Sequence, residues 1–190
     1  MAMPTVCLVG RPNVGKSTIF NRLVGKKISI IEDTPGVTRD RIYGDVSYNN
    51  YKFHLIDTGG IDVSQEVFNN EIRVQVEIAI DEADKIIFVV DGMSELNQND
   101  YVIRDMLKKS SKEVIVAVNK LDNKNRENNV YNYYELGFEN IIPVSGEHNI
   151  GIDDLLDMVV NNFPTYKKGE VNDNKIKFSI IGRPNVGRVV

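Results

Sequence analysis

The sequence predicts an α/β fold with a doubly wound, mostly parallel, six-stranded sheet, one antiparallel edge strand and helices on both faces. Apolar stretches of strand length alternate with stretches of helical period along most of the chain. Strands whose two faces are covered by crossover helices are typical of mostly parallel sheets. Two neighbouring strand stretches meet at Asn49-Asn50, where asparagine tolerates the left-handed backbone of a tight hairpin, so one edge strand is expected to be antiparallel.

The predicted elements follow one another in a regular order. Each strand is a short apolar stretch, and strands are expected at 5–9, 41–48, 51–57, 85–91, 113–119 and 140–144. Each helix repeats apolar side chains at helical spacing, and helices are expected at 16–24, about 66–82, 99–109, 127–136 and 152–162. Ligands of such a sheet bind beyond the carboxyl ends of its strands, and the motifs below lie at such ends.

The chain is predicted to contain one domain, residues 1–162, and the beginning of another. The polar, aperiodic stretch FPTYKKGEVNDN predicts a linker over 163–175. In the remaining segment, 176–190, Gly182 to Gly187 repeat Gly10 to Gly15 letter for letter behind another apolar strand pattern. The first domain is therefore expected to start again there.

Composition excludes several classes of protein. The 42% of hydrophobic residues suffices for a sizeable core, which excludes a disordered or fibrous chain. A net charge of −4 offers no overall attraction to nucleic acid or to an anionic membrane. No signal peptide or membrane span is recognisable, so we expect a cytoplasmic protein that does not bind membranes. The single cysteine, Cys7, is expected to be a small core side chain.

The first motif, GRPNVGKS, lies between a predicted strand and a predicted helix and matches a phosphate-binding P-loop. Its backbone N–H groups are expected to surround a phosphate, Lys16 to contact the β and γ oxygens, and Ser17 to bind Mg²⁺. The alternative is an ordinary turn before a helix. In that case the match to the P-loop motif and its position between a strand and a helix would both be coincidences. The predicted binding residues here are Gly10, Arg11, Pro12, Asn13, Val14, Gly15, Lys16, Ser17 and Thr18.

The segment Asn119-Lys120-Leu121-Asp122 follows the fifth strand and matches NKxD. The Asp122 carboxylate can accept both the N1–H and the 2-amino group of guanine, a pair that adenine cannot offer. Asn119 is expected to bind N7 and to brace the P-loop, and the alkyl part of Lys120 to cover the base. A solvated turn is the alternative for these four letters taken alone. An ATP-binding P-loop enzyme is the other alternative, and NKLD argues against it.

A third motif, Asp57-Thr58-Gly59-Gly60, ends the third strand and matches DxxG. The Asp57 carboxylate is expected to reach Mg²⁺ through water, and the Gly60 N–H to meet a γ-phosphate. Between the first helix and the second strand, Thr38 is the preferred second hydroxyl for Mg²⁺, with Thr34 as the alternative.

Ser145-Gly146 follows the sixth strand and is expected to support the guanine ring and to orient Asp122. A plain loop would look much the same.

The ordered set GRPNVGKST, TPGVTRD, DTGG, NKLD and SG resembles the translation-factor-class, Era-like GTPases, and the GRPNVG restart resembles the tandem-GTPase family called Der. The resemblance implies a P-loop NTPase fold, GTP hydrolysis with Mg²⁺, and a role in maturing the large ribosomal subunit. It also implies a second G domain and a KH-like domain. Arg188 and Val189 replace the Lys and Ser in the restart, which is therefore expected to bind no nucleotide, and Gly146 replaces the family's usual alanine.

For catalysis the resemblance points to Lys16, Thr38, Gly60 and Asn13. Ile61 occupies the place where Ras-like relatives carry a water-orienting glutamine, so we expect slow turnover. Asn13 resembles a K⁺ ligand in relatives that use potassium, and its alternative role is to stabilise a left-handed turn. Arg39 could act like an arginine finger, although a surface ion pair is the simpler interpretation.

The sequence thus predicts a GTP-binding, slowly hydrolysing switch domain of a ribosome-assembly GTPase. The alternative is a nucleotide-gated binding module with negligible turnover. His54 alternates along a strand and is expected to be a satisfied or half-exposed strand residue, and His148 lies in a loop with no metal-ligand spacing near it. Tyr131, Tyr133 and Tyr134 are expected to pack against the sheet, with base stacking as the alternative.

Overall fold

A computed structural model describes residues 3–25, 42–58, 70–122 and 128–165, with helices and strands at the predicted places. The strands are β1 (Thr5–Val9), β2 (Ile42–Tyr48), β3 (Tyr51–Asp57), β4 (Lys85–Asp91), β5 (Glu113–Asn119) and β6 (Asn140–Pro143). The helices are α1 (Lys16–Val24), α2 (Asn70–Glu82), α3 (Gln98–Lys109), a 3₁₀ helix (Asn128–Leu136) and α4 (Ile152–Val160).

The six strands form one sheet in the order β2-β3-β1-β4-β5-β6. Only the β2–β3 pair is antiparallel among these strands, and its turn places Asn49 at φ 51°, in the left-handed region that asparagine tolerates. The predicted fold class is confirmed. The β4 strand lies between β1 and β5, so its carboxyl end adjoins the loops that follow both.

Alternation along the strands divides the core between the two faces of the sheet. On one face Val6 and Leu8 of β1 pack with apolar side chains of α1 and α4. On the other face Cys7 and Val9 pack with side chains of α2, α3 and the 3₁₀ helix. Cys7 is fully buried, as predicted. Because successive strand residues point to opposite sides, helices cover both faces of a single sheet.

Three element boundaries differ from the prediction. Helix α3 begins at Gln98, one residue early, because the Asn97 side chain accepts the backbone N–H of Asn99 and of Asp100 as an N-cap. Helix α4 ends at Val160 because Asn162 adopts a left-handed φ of 67°. Strand β6 ends at Pro143, one residue early.

The segment predicted as an ordinary helix over 127–136 is a 3₁₀ helix, Asn128–Leu136. Asparagine side chains compete with the backbone for hydrogen bonds and disfavour an α-helix. The hydroxyl of Tyr133 donates to the carbonyl oxygens of Asp91 (2.8 Å) and Ser94 (3.2 Å), which fastens the segment to the end of β4.

The prediction that all three tyrosines pack against the sheet holds only for Tyr133, which is buried. Tyr131 and Tyr134 are 73% and 50% exposed. Their rings stack on each other with centroids 6.3 Å apart, because the 3₁₀ period turns both toward solvent.

His54, on β3, is half-exposed and lies 2.7 Å from Asp45 Oδ1, as expected for a satisfied strand residue. Within the described ranges no helix has the length and apolar character needed to cross a membrane. The same ranges contain no group of three or more His, Cys, Asp or Glu side chains that could hold a metal ion. The predicted linker beyond residue 165 and the restart at 176–190 lie outside the described residues.

Candidate functional site

The loop between β1 and α1 can be built only with glycine at two positions. A Cβ on Gly10 would lie 2.3 Å from the carbonyl oxygen of Val89 on β4. Gly15 has φ 93°, and a Cβ there would lie 2.3 Å from Asn119 Nδ2. Asn13, between them, has φ 63° and an exposed side chain. The loop is therefore packed against the ends of β4 and β5, and it places the N-terminus of α1 at the edge of the sheet.

Lys16 is folded back over this loop and is only 7% exposed. Its Nζ donates to the carbonyl oxygens of Gly10 and Arg11, each at 2.9 Å. Burial lowers the pKa of Lys16 to about 8, while Asp57 acts to raise it and Arg11 to lower it. A buried cation with only neutral carbonyl acceptors is suited to an anionic ligand at the loop.

A hydroxyl and a carboxylate meet where α1 begins and β3 ends. Ser17 Oγ donates to Asp57 Oδ2 at 2.9 Å, and Thr58 Oγ1 donates to the carbonyl oxygen of Leu8 at 2.8 Å. Leu8 and Asp57 are paired in the parallel β1–β3 ladder, which brings the two motifs together. Hydroxyl and carboxylate oxygens are the donors that Mg²⁺ prefers, so the Ser17 and Asp57 pair fits that ion.

Several predicted site residues lie outside the described ranges, so the structure does not place them. They are Thr34, Thr38, Arg39, Gly59, Gly60 and Ile61.

Asn119 is buried at the end of β5 and joins two loops. Its Nδ2 donates to the carbonyl oxygen of Val14 at 2.8 Å, and its Oδ1 accepts the backbone N–H of Gly146 at 3.0 Å. One amide side chain therefore links the P-loop, the NKLD segment and the Ser145-Gly146 segment.

The two charged residues of NKLD lie in different surroundings. Lys120 has φ 70°, and its Nζ donates to the carbonyl oxygen of Asn13 at 2.9 Å and to Asp91 Oδ2 at 2.7 Å. The Asp122 side chain is 41% exposed, with His148 Nε2 3.9 Å from its Oδ2. Leu121, between them, is buried in the core. The Lys120 stem is thus held near the loop, and Asp122 is presented at the surface.

The loop after β6 is held in a fixed shape beside these residues. Ser145 and Ile150 exchange backbone hydrogen bonds of 2.9 and 3.1 Å, and Ser145 Oγ accepts the N–H of His148 at 3.2 Å. Arg22 Nε donates to the carbonyl oxygen of Gly146 at 2.7 Å. A Cβ on Gly146 would lie 3.1 Å from Ile19 Cγ1, so glycine relieves a close contact with α1.

Sequence reasoning missed Asp91 and Asp100, which contact the motifs without belonging to them. Arg11 Nε donates to Asp100 Oδ2 at 3.2 Å, and Arg11 Nη2 donates to Ser94 Oγ at 2.6 Å. The signal for Asp91 was present, because it is the polar last residue of an otherwise apolar strand at the sheet's ligand-binding edge. The capping box of α3 accounts locally for Asp100, whose burial raises its pKa, but no local pattern marks its contact with Arg11.

Comparison with known proteins bears on these motifs. The family described as "50S ribosome-binding GTPase" matches residues 5–120. GTPase Der of Leuconostoc citreum is 54% identical over 188 residues, which are 99% of this chain and 43% of that protein. GTPase Der of Staphylococcus carnosus is 53% identical over the same share of each chain. The chain spans less than half the length of these curated relatives.

Solved structures share the fold. The crystal structure of Era in complex with MgGDPNP and nucleotides 1506-1542 of 16S ribosomal RNA has a TM-score of 0.70 and 30% identity, covering 88% of this chain and 59% of that one. The G domain of the T. maritima FeoB iron transporter has a TM-score of 0.64 and 27% identity, covering 84% of this chain and 98% of that one.

Proposed function

The chain belongs to the 50S ribosome-binding GTPase family, and on that premise we propose that it binds GTP and GDP at this site and hydrolyses GTP to GDP and phosphate. The observation that carries the proposal is the double contact of Asn119, which touches Val14 in the P-loop and Gly146 in the loop after β6. A phosphate-binding loop and a guanine-binding segment are thereby parts of one site.

Phosphate binding is assigned to the loop from Gly10 to Thr18. Its backbone N–H groups lie at the start of α1, where the helix dipole favours an anion. Lys16 already lies over the loop, and a nucleotide phosphate would replace carbonyl acceptors with charged ones. Mg²⁺, when bound, would neutralise charge between the β and γ phosphates. Ser17 and Asp57, the latter through water, would hold it together with Thr38.

Base selection is assigned to Asn119, Lys120, Leu121 and Asp122, supported by Ser145 and Gly146. Asp122 would accept the N1–H and the 2-amino group of guanine, and an adenine would leave those acceptor positions unsatisfied. Lys120, held by Asn13 and Asp91, would lay its alkyl stem along the base.

Hydrolysis would depend on charge stabilisation more than on a base. Lys16 and the backbone amides would bind the transferring phosphoryl group, and Thr38 and the Gly60 N–H would respond to its presence or loss. We also assign Thr58, Gly59 and Ile61 to the nucleotide site, and the side chain of Ile61 would give the attacking water no polar partner. We therefore propose slow intrinsic turnover, with K⁺ bound through Asn13 supplying additional positive charge.

We further propose that the whole protein is a cytoplasmic ribosome-assembly factor that switches between two nucleotide states. The name of the matched family and the 16S ribosomal RNA bound by Era support a ribosomal partner. The large ribosomal subunit would be that partner, acting with a second G domain and a KH-like domain. A G domain at 1–162, a linker at 163–175 and the start of the second G domain at 176–190 follow from this proposal.

The decisive measurement is multiple-turnover phosphate release by the chain with saturating GTP and Mg²⁺, together with equilibrium titration of GDP and ADP. We expect one guanine nucleotide bound per chain, no measurable ADP binding, and slow but repeated turnover. Lys16→Met should abolish turnover. Guanine binding with no turnover in any salt would instead establish the alternative, a nucleotide-gated binding module. Equal affinity for ADP and GDP would refute the guanine assignment.

The potassium proposal is tested in the same assay. Turnover should be faster in KCl than in NaCl at equal ionic strength, because Na⁺ prefers shorter ligand distances. Asn13→Ala should remove the difference and leave GDP binding largely intact, since Lys16 and the loop amides remain. Equal rates in both salts for the unmodified chain would refute the potassium proposal, and the role of Asn13 would then be to stabilise the left-handed turn.

A further inference from the structure

Two carboxylates, the largely buried Asp91 and the fully buried Asp100, contact Arg11 of the P-loop. Asp91 is the last residue of β4 and Asp100 is in the first turn of α3. Their side chains are 11% and 1% exposed, and each contacts a cation that belongs to a nucleotide-site motif. Ionised groups are rarely buried to this extent without a partner or a function, so both call for an explanation.

The end of β4 touches the backbone of both motifs. Gly10 lies against the carbonyl oxygen of Val89, as its missing Cβ shows. The N–H of Gly92 donates to the carbonyl oxygen of Asn119 at 2.7 Å, and a Cβ on Gly92 would lie 2.8 Å from that oxygen. A residue at the end of this central strand can therefore act on the phosphate side and on the base side at once.

Asp91 makes that double contact through side chains. Its Oδ2 lies 2.7 Å from Lys120 Nζ and 3.9 Å from Arg11 Nη2. The same Lys120 Nζ donates to the carbonyl oxygen of Asn13, in the P-loop, at 2.9 Å. Asp91 thus fixes the lysine whose ammonium group links the two motifs.

Asp100 holds the other cation. Its Oδ2 accepts from Arg11 Nε at 3.2 Å and from the backbone N–H of Asn97 at 3.0 Å. The Asn97 contact belongs to the capping box of α3 and explains an acidic residue at this position. It does not explain Arg11, which comes from the P-loop and whose carbonyl oxygen accepts from Lys16. Asp100 therefore helps to fix the position of Arg11, whose carbonyl oxygen accepts a hydrogen bond from Lys16.

We propose that Asp91 and Asp100 are positioning residues that hold the phosphate loop against the base-binding motif, so that diphosphate binding and guanine selection are energetically coupled. Neither carboxylate touches the nucleotide, and they act through Lys120 and Arg11. This inference rests on the proposed function, because it concerns the same site. Removing the charge of Asp91 releases Lys120 from one of its two anchors, which disturbs the cover of the base and the shape of the loop together.

The test compares dissociation constants of the full chain for GDP, GMP and inosine diphosphate. GMP lacks the β-phosphate, and inosine lacks the 2-amino group. Asp91→Asn keeps the size of the side chain, and we expect it to weaken GDP binding about tenfold by loss of a charge-assisted hydrogen bond. It should also reduce both the preference for GDP over GMP and the preference for GDP over inosine diphosphate. Asp100→Asn should act in the same direction.

The matched control is Asp105→Asn on the exposed part of α3. Its carboxylate pairs with the adjacent Arg104 and is 58% exposed. We expect all three dissociation constants to stay unchanged in this variant, with thermal unfolding followed for every protein. A purely structural role would lower stability and weaken all three ligands by one factor, leaving both preferences intact. That result would overturn the proposal.

A double variant tests the route through Lys120. Asp91→Asn combined with Lys120→Met should bind GDP no more weakly than Lys120→Met alone, and additive losses would contradict the proposal. If Asp91→Asn does not fold, Asp91→Glu and Asp100→Asn carry the same expected change in preferences. Failure of the unmodified chain to bind GDP would refute the proposed function itself, whereas normal binding with unchanged preferences in the variants would refute only the coupling.

Discussion

The proposed phosphate side of the site, the P-loop with Lys16, and the proposed base side, the NKLD segment with Asp122, differ in how far their charged residues are exposed. Lys16 is 7% exposed and donates to two carbonyl oxygens of its own loop, whereas the Asp122 side chain is 41% exposed. Desolvation by burial lowers the pKa of the Lys16 ammonium group, whereas the Asp122 carboxylate is open to solvent. We therefore expect nucleotide binding to be linked to protonation and to steric fit on the proposed phosphate side, and to base identity on the proposed base side.

The largest expected effect is a change in the nucleotide that the proposed base side prefers. Asp122→Asn replaces two acceptor oxygens with one acceptor and one donor, so guanine loses a partner and the 2-oxo group of xanthine gains one. GTP binding should weaken by roughly 2 to 4 kcal/mol, and preference should move to XTP. Titration with both nucleotides measures the change. Undiminished GTP affinity would contradict the role of Asp122, and the stability of the free protein should hardly change.

Alanine substitutions at two glycines test the steric demands of the proposed phosphate side. Gly15 and Gly25 both have positive φ, at 93° and 68°, so alanine strains the backbone at either position by roughly 1 to 3 kcal/mol. Only Gly15→Ala also collides with Asn119, because no atom of the described residues lies within 4 Å of a Cβ on Gly25.

We expect Gly15→Ala to weaken GDP binding about tenfold or more by displacing Asn119, and Gly25→Ala to leave GDP binding unchanged. Urea unfolding and GDP titration of both variants make the comparison. Equal GDP affinities for the two would show that the close approach at Gly15 is not part of the nucleotide site.

Protonation of Lys16 should be linked to nucleotide binding. Its pKa is about 8 in the free protein against 10.5 for an ordinary lysine, and phosphates favour the charged form. GDP binding at pH 8.5 should therefore take up about half a proton or more. Calorimetry in two buffers of different ionisation enthalpy measures the uptake, and its absence would contradict a phosphate contact by Lys16.

In the free protein, the lowered pKa of Lys16 makes the free energy of unfolding depend on pH. Between pH 8 and 10.5 the unfolded chain holds the Lys16 proton and the folded chain has lost it. The free energy of unfolding should therefore receive a contribution from Lys16 that rises with pH across this window. Lys16→Met should remove that contribution, as urea unfolding at the two ends of the window would show.

The smallest effect belongs to His148 on the base side. Its Nε2 lies 3.9 Å from Asp122 Oδ2, and both side chains are exposed, so the pair is worth at most about 1 kcal/mol. His148→Gln should change GDP affinity less than fivefold, measured by titration at neutral pH. A loss of tenfold or more would place the imidazole in direct contact with the nucleotide.

Much of this molecule could be predicted because its local patterns are strong. Five of the six strands begin at their predicted residues, and β2 is described from Ile42, one residue after its predicted start. Gly10 and Gly15 mark positions where the backbone admits no side chain, and that requirement is visible in the letters themselves. The asparagine-rich 3₁₀ helix is not predictable in this way, because helical spacing does not distinguish a 3₁₀ helix from an α-helix. The prediction that Tyr131 and Tyr134 pack against the sheet is wrong for the same reason.

The class of fold, the order of the motifs and the edge of the sheet at which they lie follow from the amino-acid sequence alone, because strand alternation, helical period and glycine requirements are local properties. The position of β4 between β1 and β5, in contrast, is known from the folded structure and from no local pattern. That order places Asp91 against Lys120 and Asp100 against Arg11, partners 29 and 89 residues apart in the chain. No local pattern encodes such a meeting, because it depends on which strands become neighbours when the whole core is packed.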